Sequence, residues 1–389
     1  MTDATDDEAL NVLLLAEDFY PKESGGAFID WNTAKHLADA GDSVTVVTTR
    51  CDGTSYRETV DGVDIRRPSR GIKGGTPPNS LRGQLRRILF VLLVIPYLIN
   101  LIREEELDLV YSTNHLLHPV AALMRTIFRL PHISFVGYSP SIRSNVSLTH
   151  PLVLLERSNF RLFMGDCALC QTPSVYEELV RLSDAKVKRI DGTIDADAVR
   201  SALDSEMDSD PGTDMIDMRL IFVGRFVEPK NPTKIPTIIA RLPSTYSLIM
   251  IGDGPQRPAV ENAIRKENVQ DRVDLTGRLS HEQTLRAIHD TDLLVLPSEA
   301  DAYPTVVFEA LALNTPVLAT PVGILPTIDH RNLTTAPLGE FTNYIPDIET
   351  TGDRGIDEEM LRQFSVERFA TSVRDHMKEI MEGDPHPDS

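Results

Sequence analysis

The 389-residue chain combines an ordinary hydrophobic content of 41% with 58 Asp and Glu against 39 Lys and Arg, a formal net charge of −19. Its length predicts two domains, and its hydrophobic content excludes extensive disorder. The negative charge excludes bulk nucleic acid as a partner. Nine of the basic residues are Lys. This acidic, lysine-poor composition indicates either a salt-adapted organism, whose cytoplasm screens charge repulsion, or simply an acidic protein.

The three cysteines, Cys51, Cys167 and Cys170, are too few for a disulfide framework and fit a reducing compartment. Cys167 and Cys170 form a C-x-x-C pair, a spacing found in redox and zinc sites, but the sequence has no second pair to complete four ligands. Their apolar neighbours favour a buried strand. Residues 1–9 are acidic and polar and lack the features of a signal peptide, so we expect the protein to stay in the cytoplasm.

In the first half of the chain, short apolar runs alternate with helical patterns, which predicts a parallel sheet with right-handed crossovers. A helix is expected over residues 27–40, ended by Gly41. The predicted strands cover residues 11–16, 43–49, 107–112, 133–136 and 168–172.

The same pattern restarts after a polar stretch at residues 195–213, which we interpret as the linker between two domains. Residues 366–381 have the pattern of an amphipathic helix. Between them the predicted strands cover residues 218–223, 246–251, 273–275, 293–296 and 316–319.

One apolar stretch, residues 88–102, lies between Arg82, Arg86 and Arg87 on one side and three glutamates on the other. It is shorter than the ~20 residues that a membrane span needs, and one Pro and one Asn interrupt it. Two interpretations remain open: a buried core helix, or an interfacial helix with a basic shoulder that lies on a membrane near a lipid acceptor.

The segment from Phe222 to Lys230 follows the first predicted strand of the second half. Ligands of open parallel sheets bind at the carboxyl ends of the strands. Arg225 and Lys230 are five residues apart across a turn, so both cations can reach one anion. A diphosphate leaving group needs such cations because bond cleavage places negative charge on it. The alternative is an exposed loop with two solvated cations.

A second segment, residues 297–316, predicts a helix whose first residue is Pro304 and whose end is a left-handed cap at Asn314. A helix N-terminus binds anions through its unpaired N–H groups and its dipole. Asp301 precedes this helix and Glu309 lies within it, so a carboxylate is expected on each side of a bound phosphate. The alternative makes Asp301 a helix cap and Glu309 a surface residue.

With these motifs the chain resembles glycosyltransferase family 4 over nearly its whole length. The N-terminal half matches the opening of the family from Phe19 through Gly25 and Gly26 and again over residues 41–48, and residues 191–195 resemble its turn at the domain junction. The motifs of the second half that match are G-R-x-x-x-x-K at Gly224, Arg225 and Lys230; G-D-G-P at residues 252–255; V-x-x-x-G at residues 273–277; P-S at residues 297–298; and E-x7-E at Asp301 and Glu309.

The resemblance implies an α/β protein with the GT-B fold, two facing Rossmann-like domains with a cleft between them. We expect an acceptor-side domain at residues 1–195 and a nucleotide-sugar domain at residues 214–362. A C-terminal helix within residues 363–389 is expected to cross back onto the N-terminal domain.

The resemblance also implies residue roles. Arg225 and Lys230 would bind and stabilise the donor diphosphate, and Asp301 would face the transferred sugar; these are the predicted catalytic residues. The other donor contacts it implies are the loop of Gly25 and Gly26 on the phosphates, the backbone around Tyr303, Pro304 and Thr305 on the distal phosphate, Gly277, Arg278 and Leu279 at the base, and Glu309 on the ribose.

Family members generally retain the anomeric configuration and need no metal, because cationic side chains and helix dipoles take its place. A hexose-type sugar on a uridine diphosphate is the favoured donor, ahead of guanosine diphosphate. The implied acceptor is a glycan or a polyprenyl- or lipid-linked molecule in cell-surface glycan assembly. A lipid acceptor would place the protein at the inner face of the cell membrane, with residues 88–102 in contact with it.

The sequence departs from the family pattern at three places. Asp301 stands where the family has Glu, residues 323–327 lack a Gly and a Glu of the family segment, and Tyr138 lies near the place where many members carry a His. These departures motivate a second hypothesis, a non-catalytic relative that binds a nucleotide sugar or scaffolds a membrane complex. A third hypothesis is an epimerase-type enzyme of the same fold. Residues 70–80 and 88–102 are the expected determinants of the acceptor.

Overall fold

A computed structural model describes residues 9–22, 24–51, 53–68, 81–139, 151–204, 218–349 and 355–383. The chain forms two compact units, one from Met1–Asp191 with Val366–Ser389 and the other from Gly192–Ser365. The predicted loop at residues 70–80 and the later part of the predicted linker, residues 205–213, lie outside the described residues.

The first unit contains a sheet in the order β3-β4-β2-β1-β5-β6-β7-β8, parallel except for the pairing of β3 with β4. Its strands are β1 (Asn11–Leu15), β2 (Ser43–Val47), β3 (Arg57–Val60), β4 (Val63–Arg66), β5 (Leu109–Ser112), β6 (His132–Val136), β7 (Cys167–Cys170) and β8 (Lys186–Arg189). Its helices are α1 (Gly25–Asp39), α2 (Leu81–Glu104), α3 (His118–Phe128), α4 (Pro151–Leu162), α5 (Pro173–Leu182) and, near the C-terminus, α13 (Val366–Met381).

Two helix layers cover this sheet, as the alternation of side chains along the strands requires. Leu13 and Leu15 of β1 pack in one core with residues of α2 and α3. Val12 and Leu14, on the opposite face of the same strand, pack with residues of α1 and α13. A third core joins α4 and α5 to β6 and β7 through residues such as Val136.

The second unit contains a parallel sheet in the order β11-β10-β9-β12-β13-β14. Its strands are β9 (Met218–Val223), β10 (Tyr246–Ile251), β11 (Val273–Gly277), β12 (Leu293–Leu296), β13 (Val317–Ala319) and β14 (Leu333–Thr335). Its helices are α6 (Ala196–Asp204), α7 (Ile235–Arg241), α8 (Arg257–Lys266), α9 (His281–His289), α10 (Thr305–Ala312), α11 (Phe341–Tyr344) and α12 (Glu358–Phe364).

The first and last residues of the second unit are hydrogen-bonded to each other. The N–H groups of Thr193 and Ile194 both donate to the carbonyl oxygen of Phe364, at 2.7 and 3.0 Å. The chain therefore enters and leaves this unit at one place.

The C-terminal helix α13 belongs to the first unit and packs against α1. Phe369 and Met377 are buried in the core shared with α1 and β1. The guanidinium of Arg374 donates both to Asp42 Oδ2 at 2.7 Å and to Asp42 Oδ1 at 3.0 Å, in a pair that is largely buried. The amphipathic pattern of residues 366–381 thus matches the observed helix.

Part of the polar stretch that we interpreted as a linker is helical. Residues 196–204 form α6, which packs against α9 of the second unit. Val199 and Ala202 are buried there. With Ala196, three buried apolar positions suffice for this short helix, and its many small and acidic residues conceal the pattern in the sequence.

Helix α2 has one buried and one exposed apolar side. Phe90 and Val94 lie in the core of the first unit, which confirms the core interpretation of residues 88–102 for that side. On the other side Leu92 is 62% exposed, and Ile88 is also exposed. Among the described residues, no helix has both the length and the apolar character that crossing a bilayer requires.

Candidate active site

The strand order of the second sheet reverses between β9 and β12. In an open parallel sheet, the loops after two such strands diverge and leave a crevice at the carboxyl edge, where ligands bind. Both motifs that the sequence singled out are these two loops. Residues 224–230 follow β9, and residues 297–304 follow β12.

The loops after β9 and β12 are joined by direct contacts. Lys230 forms an ion pair with Asp301, and both side chains are largely shielded from solvent. Asn231, in the left-handed conformation with φ of 50°, donates its side-chain N–H to Pro297 O at 3.0 Å and to Glu299 Oε1 at 3.2 Å. The Asp301 carboxylate is therefore a partner of Lys230 and not a cap of the following helix.

Arg225 differs from Lys230 in its surroundings. Its side chain is exposed, and it has no hydrogen bond or ion pair within the described part of the chain. A guanidinium in this position can bind an incoming anion without first breaking an internal ion pair. The two predicted cations therefore differ before any ligand binds: Lys230 is paired with a carboxylate, and Arg225 is open to solvent.

The loops after β9, β10 and β11 are held together by their backbones. Gly224 N donates to Ile251 O at 3.0 Å, and Gly252 N donates to Gly277 O at 2.8 Å. A Cβ on Gly252, whose φ is +139°, would overlap the carbonyl oxygen of Gly224. A Cβ on Gly254 would likewise overlap the backbone of Phe226. Both glycines are therefore required by the packing of the loops themselves.

The helix after β12 begins one residue later than the sequence predicted. Pro304 is the N-cap residue of α10, and Thr305 is its first helical residue. Pro304 has ψ of 92°, outside the helical region, and the N–H groups of the first helical turn follow it. Asn314 has φ of 55°, so the left-handed conformation predicted there is present.

Residues at the start of the second unit anchor the loop before α10. Gly192 N donates to the Tyr303 hydroxyl at 3.2 Å, and the hydroxyls of Thr193 and Thr305 are 2.8 Å apart. The Tyr303 ring stacks on Phe308, with 4.6 Å between ring centroids. The backbone at residues 303–305, which is predicted to bind phosphate, is thus held by residues 192 and 193 on one side and by Phe308 on the other.

Gly323 supports the Asp301 loop from the side of β13. It has φ of +56°, and a Cβ there would overlap the carbonyl oxygens of Asp301 and Ala302. Ile324 N donates to Ala302 O at 3.1 Å. Sequence reasoning noted this segment only as a departure from the family pattern and missed its contact with Asp301.

Glu309 is 7% exposed, on the buried side of α10, and is not the surface residue of the alternative interpretation. Its Oε1 lies 2.7 Å from Nε2 of His281, the first residue of α9. This hydrogen bond, with the nearby negative charges of Glu309 and Asp195, raises the pKa of His281 against the opposing effect of burial. Sequence reasoning missed His281, because it lies 28 positions before Glu309 and no sequence pattern joins the two.

The residues predicted to contact the base lie just before His281. Gly277 ends β11 with φ of +77°, Arg278 is exposed, and Leu279 packs against the core that contains α9 and α10. Because His281 bonds to Glu309, the structure brings these three residues close to the predicted ribose contact. The sequence-predicted donor residues of the second unit therefore share one edge of the sheet.

Gly25 and Gly26 lie in the first unit, at the start of α1. Ser24 caps this helix by accepting a hydrogen bond from Ala27 N at 3.2 Å. A Cβ on either glycine would meet no atom of the chain within 4 Å. The fold of the first unit therefore leaves space for a side chain at both positions, in contrast to Gly252.

A buried carboxyl group lies in α1 close to the carboxyl edge of the first sheet. Asp30 Oδ2 accepts a hydrogen bond of 2.7 Å from the hydroxyl of Thr113, which follows β5. Burial raises the pKa of Asp30 from 3.8 to about 8, so the group holds a proton at neutral pH. Nearby, Tyr138 follows β6, is 43% exposed, and accepts through its backbone oxygen from His115 Nε2 at 2.8 Å.

The C-x-x-C pair is structural. Cys167 and Cys170 lie on the fully buried strand β7 and form no disulfide. Burial raises the pKa of both thiols to about 12, which leaves them protonated and unreactive. Within the ranges that the structure describes, no three His, Cys, Asp or Glu side chains are grouped as metal ligands.

Two family models match the chain. The model described as "Glycosyltransferase Family 4" covers residues 31–198, and the model described as "Glycosyl transferases group 1" covers residues 206–332. The GPI3 subunit of phosphatidylinositol N-acetylglucosaminyltransferase from Saccharomyces cerevisiae is 23% identical over 339 residues, 83% of this chain and 71% of that protein. An uncharacterized glycosyltransferase of Methanocaldococcus jannaschii is 26% identical over 302 residues, 72% of this chain and 78% of its own.

Solved structures share the architecture. Sucrose-phosphate synthase from Thermosynechococcus elongatus matches 97% of this chain and 100% of its own, with a TM-score of 0.77 and 19% identity. Anabaena HepE, solved in complex with UDP and glucose, matches 95% of this chain and 99% of its own, with a TM-score of 0.66 and 16% identity. The fold and the two family matches define a glycosyltransferase of the GT-B class, as the sequence predicted. The chain belongs to glycosyltransferase family 4.

Proposed function

We propose that the protein is a retaining, metal-independent glycosyltransferase that moves a hexose-type sugar from a nucleotide diphosphate to a glycan or lipid-linked acceptor. The observation that carries the proposal is the meeting of two loops at the switch point of the second sheet. There Lys230 and Asp301 form an ion pair, and Arg225 is open to solvent in the same loop as Lys230.

In this proposal Arg225 and Lys230 bind the donor diphosphate, and Asp301 faces the sugar. The bond between the anomeric carbon and the phosphate oxygen breaks while the acceptor oxygen bonds to that carbon on the same face. The acceptor proton passes to an oxygen of the leaving diphosphate. The two cations stabilise the negative charge that develops on this leaving group, because they are in place before the bond breaks.

The other predicted contacts complete the donor site. The N–H groups at the start of α10, around Tyr303, Pro304 and Thr305, bind the distal phosphate with the help of the helix dipole. The Glu309 carboxylate accepts hydrogen bonds from the ribose diol. The backbone of residues 277–279 contacts the base. The space above Gly25 and Gly26 allows their backbone to approach the phosphates.

The donor base and the acceptor are proposed with support from the relatives. The UDP complex of Anabaena HepE supports a uridine diphosphate donor ahead of guanosine diphosphate. The yeast relative's name, phosphatidylinositol N-acetylglucosaminyltransferase, supports a lipid-linked acceptor. We place the protein at the inner face of the cell membrane, in cell-surface glycan assembly, with α2 in contact with the bilayer. The acidic, lysine-poor composition supports a salt-rich cytoplasm.

The first test is thermal unfolding at high salt with a panel of nucleotide diphosphates and nucleotide sugars. A ligand that binds only the folded protein raises the melting temperature. We expect one nucleotide family to raise it and Glu309→Ala to abolish the shift. A panel that produces no shift in cooperatively folded protein would contradict the donor site.

The second test is turnover of the double variant Arg225→Ala, Lys230→Ala. We expect a loss of at least about 10³-fold, because one removed stabilising group already costs about 10²–10³. The matched control is Arg265→Ala, Lys266→Ala, which removes the same two residue types from exposed positions at the end of α8. If the Arg225→Ala, Lys230→Ala variant is as active as the control variant, the proposed role of the two cations is wrong. Tight donor binding without transfer to any acceptor would instead favour the non-catalytic relative.

A further inference from the structure

Charge is distributed very unevenly along this acidic chain. Residues 65–103 and 109–155 contain no Asp or Glu, although the whole chain has 58. Residues 65–155 as a whole contain eleven Arg and Lys and four acidic residues, all four of them between positions 104 and 108. The rest of the chain therefore carries all of the negative net charge, and this part is positive.

The acid-poor part supplies a continuous layer of helices on one side of the first sheet. It includes α2, α3 and the start of α4, and α3 contacts both α2 and α4. The cores show that these helices cover the face of the sheet opposite to α1 and α13. In the described part of this layer, Arg87 and Arg103 of α2 and Arg125 of α3 are exposed, so its outer surface carries positive charge.

This layer also carries most of the exposed large hydrophobic side chains of the described residues. Leu92 is 62% exposed, Leu155 68% and Leu162 64%. In the described part of the second unit, Tyr344 is the only exposed large hydrophobic residue. We define the leucine-rich face by the exposed apolar residues Ile88, Leu89, Leu92, Leu93, Leu123, Ile127, Leu154, Leu155 and Leu162.

The leucine-rich face borders the carboxyl edge of the first sheet. Arg87, at the start of its α2 part, donates to Glu17 Oε1 at 2.5 Å, and Glu17 follows the carboxyl end of β1. Leu154 and Leu155 lie in the first turns of α4, which follows the carboxyl end of β6. This edge is where an open parallel sheet binds its ligand. A membrane or other surface that covers the leucine-rich face would therefore also reach the carboxyl edge of the first sheet, where an acceptor would enter.

We propose that the leucine-rich face docks on a bilayer that contains anionic lipids. Its leucines enter the boundary between headgroups and acyl chains, and exposed cations such as Arg129 and Arg161 lie against lipid phosphates. The inference rests on the proposed function, because it supplies the lipid-linked acceptor from the same surface. It extends the proposed contact of α2 to a face of three helices and specifies the charge of the lipid.

Charge complementarity selects this occupant over a second copy of the chain. Two copies that met through this face would bring two positive surfaces together, which is unfavourable. An anionic bilayer attracts the face and repels the acidic remainder of the protein. The charge distribution therefore favours approach to the membrane through this face.

The test is sedimentation of the full chain with vesicles of phosphatidylcholine alone or with phosphatidylglycerol, over a series of KCl concentrations at which the protein is folded. We expect binding to the anionic vesicles at least several-fold above the neutral ones, with the preference weakening as salt screens the charges. The variant Leu92→Glu, Leu155→Glu is expected to lose at least tenfold in binding. The control Tyr344→Glu, an exposed apolar residue of the second unit, is expected to bind as the unmodified chain does.

Several outcomes would overturn the inference: no binding to either vesicle, equal loss in the Tyr344→Glu control, or an oligomer of the unmodified chain that the double variant dissociates. If the glutamate variant does not melt cooperatively, Leu92→Ser, Leu155→Ser takes its place. Nucleotide-induced melting shifts are measured on the same variants. If the glutamate variant keeps its nucleotide-induced melting shift and still binds vesicles normally, the membrane face is refuted and the donor site is not. If no protein shows a nucleotide-induced shift, the donor site is refuted.

Discussion

The glycines near the carboxyl edges of the two sheets differ in the space that surrounds them. In the second unit, backbone hydrogen bonds and glycine contacts join the loops after β9, β10 and β11, and Gly252 and Gly254 admit no side chain. In the first unit, the edge contains a side-chain pair, the buried Asp30 with the half-buried Thr113, and the glycines of α1 have open space. The close packing of loop backbones therefore requires glycine at set positions of the second unit, whereas the packing of the first unit does not require glycine at residues 25 and 26.

The largest expected difference between the two units is in the free energy of unfolding, when one glycine of each unit is replaced by alanine. Gly252→Ala should lower the free energy of unfolding by about 3 kcal/mol or more, since it adds both a strained φ and an overlap with Gly224. Gly26→Ala should leave stability unchanged or slightly higher, because Ala favours a helix and meets no atom there. Denaturant unfolding of both variants measures the difference. Equal losses would show that the contrast between the units is wrong.

Gly26→Ala also tests function. If the Gly25–Gly26 backbone approaches the donor phosphates, this variant keeps its stability but loses nucleotide-induced stabilisation, which the same melting curves report.

The second effect belongs to the buried carboxyl of the first unit. The folded protein keeps a proton on Asp30 up to a pKa of about 8, while the unfolded chain releases it near 3.8. Stability is therefore lost as pH rises between these values, by at most about 1.4 kcal/mol per pH unit from this group. Asp30→Asn removes that loss. We expect its free energy of unfolding to fall less than that of the unmodified protein between pH 5 and 7. Parallel pH profiles would show that Asp30 is ionised in the fold.

The smallest effect is expected at the His281–Glu309 pair of the second unit. Its hydrogen bond raises the pKa of His281 in the folded state, so the pair contributes stability below the unfolded value near 6.5 and loses it as pH rises through the folded value. Because the imidazole is 41% exposed, the contribution is at most about 0.5 kcal/mol after screening by solvent. His281→Gln should flatten this part of the profile from about pH 6 upward in denaturant titrations. A steeper profile in the variant would contradict the assignment.

The sequence predicted which loops meet at the carboxyl edge of the second sheet, because the geometry of these loops requires particular residues in the chain. Motifs around Gly224, Gly252 and Pro297 lie at consecutive strand ends, and strand ends of one parallel sheet meet at one edge. The contacts that sequence reasoning missed, His281 with Glu309 and Gly323 with Asp301, join distant segments through single residues. Such pairs leave no spacing pattern in one sequence, and only the folded chain reveals them.

The strands that were not predicted, β3, β4, β8 and β14, have a different physical cause, and the three-residue β14 is too short to show an alternating pattern. β8 reads Lys-Val-Lys-Arg, the charged composition with which edge strands avoid pairing with other chains, and it lacks an apolar run. β3 and β4 form a hairpin whose Asp61 and Gly62 have φ of 46° and 79°. Asp-Gly between short β-branched runs is a hairpin signal that the sequence analysis did not use. Strands with continuous apolar runs, such as β9 and β12, were predicted within a residue of their observed bounds.

The hydrogen bonds of Thr193 and Ile194 with Phe364 have a consequence for engineering. Since both ends of the second unit are joined at one point, residues 192–365 are topologically an insert in a chain whose first unit is completed only by α13. A gene segment that replaces residues 192–365 with those of a relative would join the rest of the chain at two junctions, and these lie at one place. The arrangement also means that a ribosome must synthesise the whole insert before the first unit can acquire its last helix.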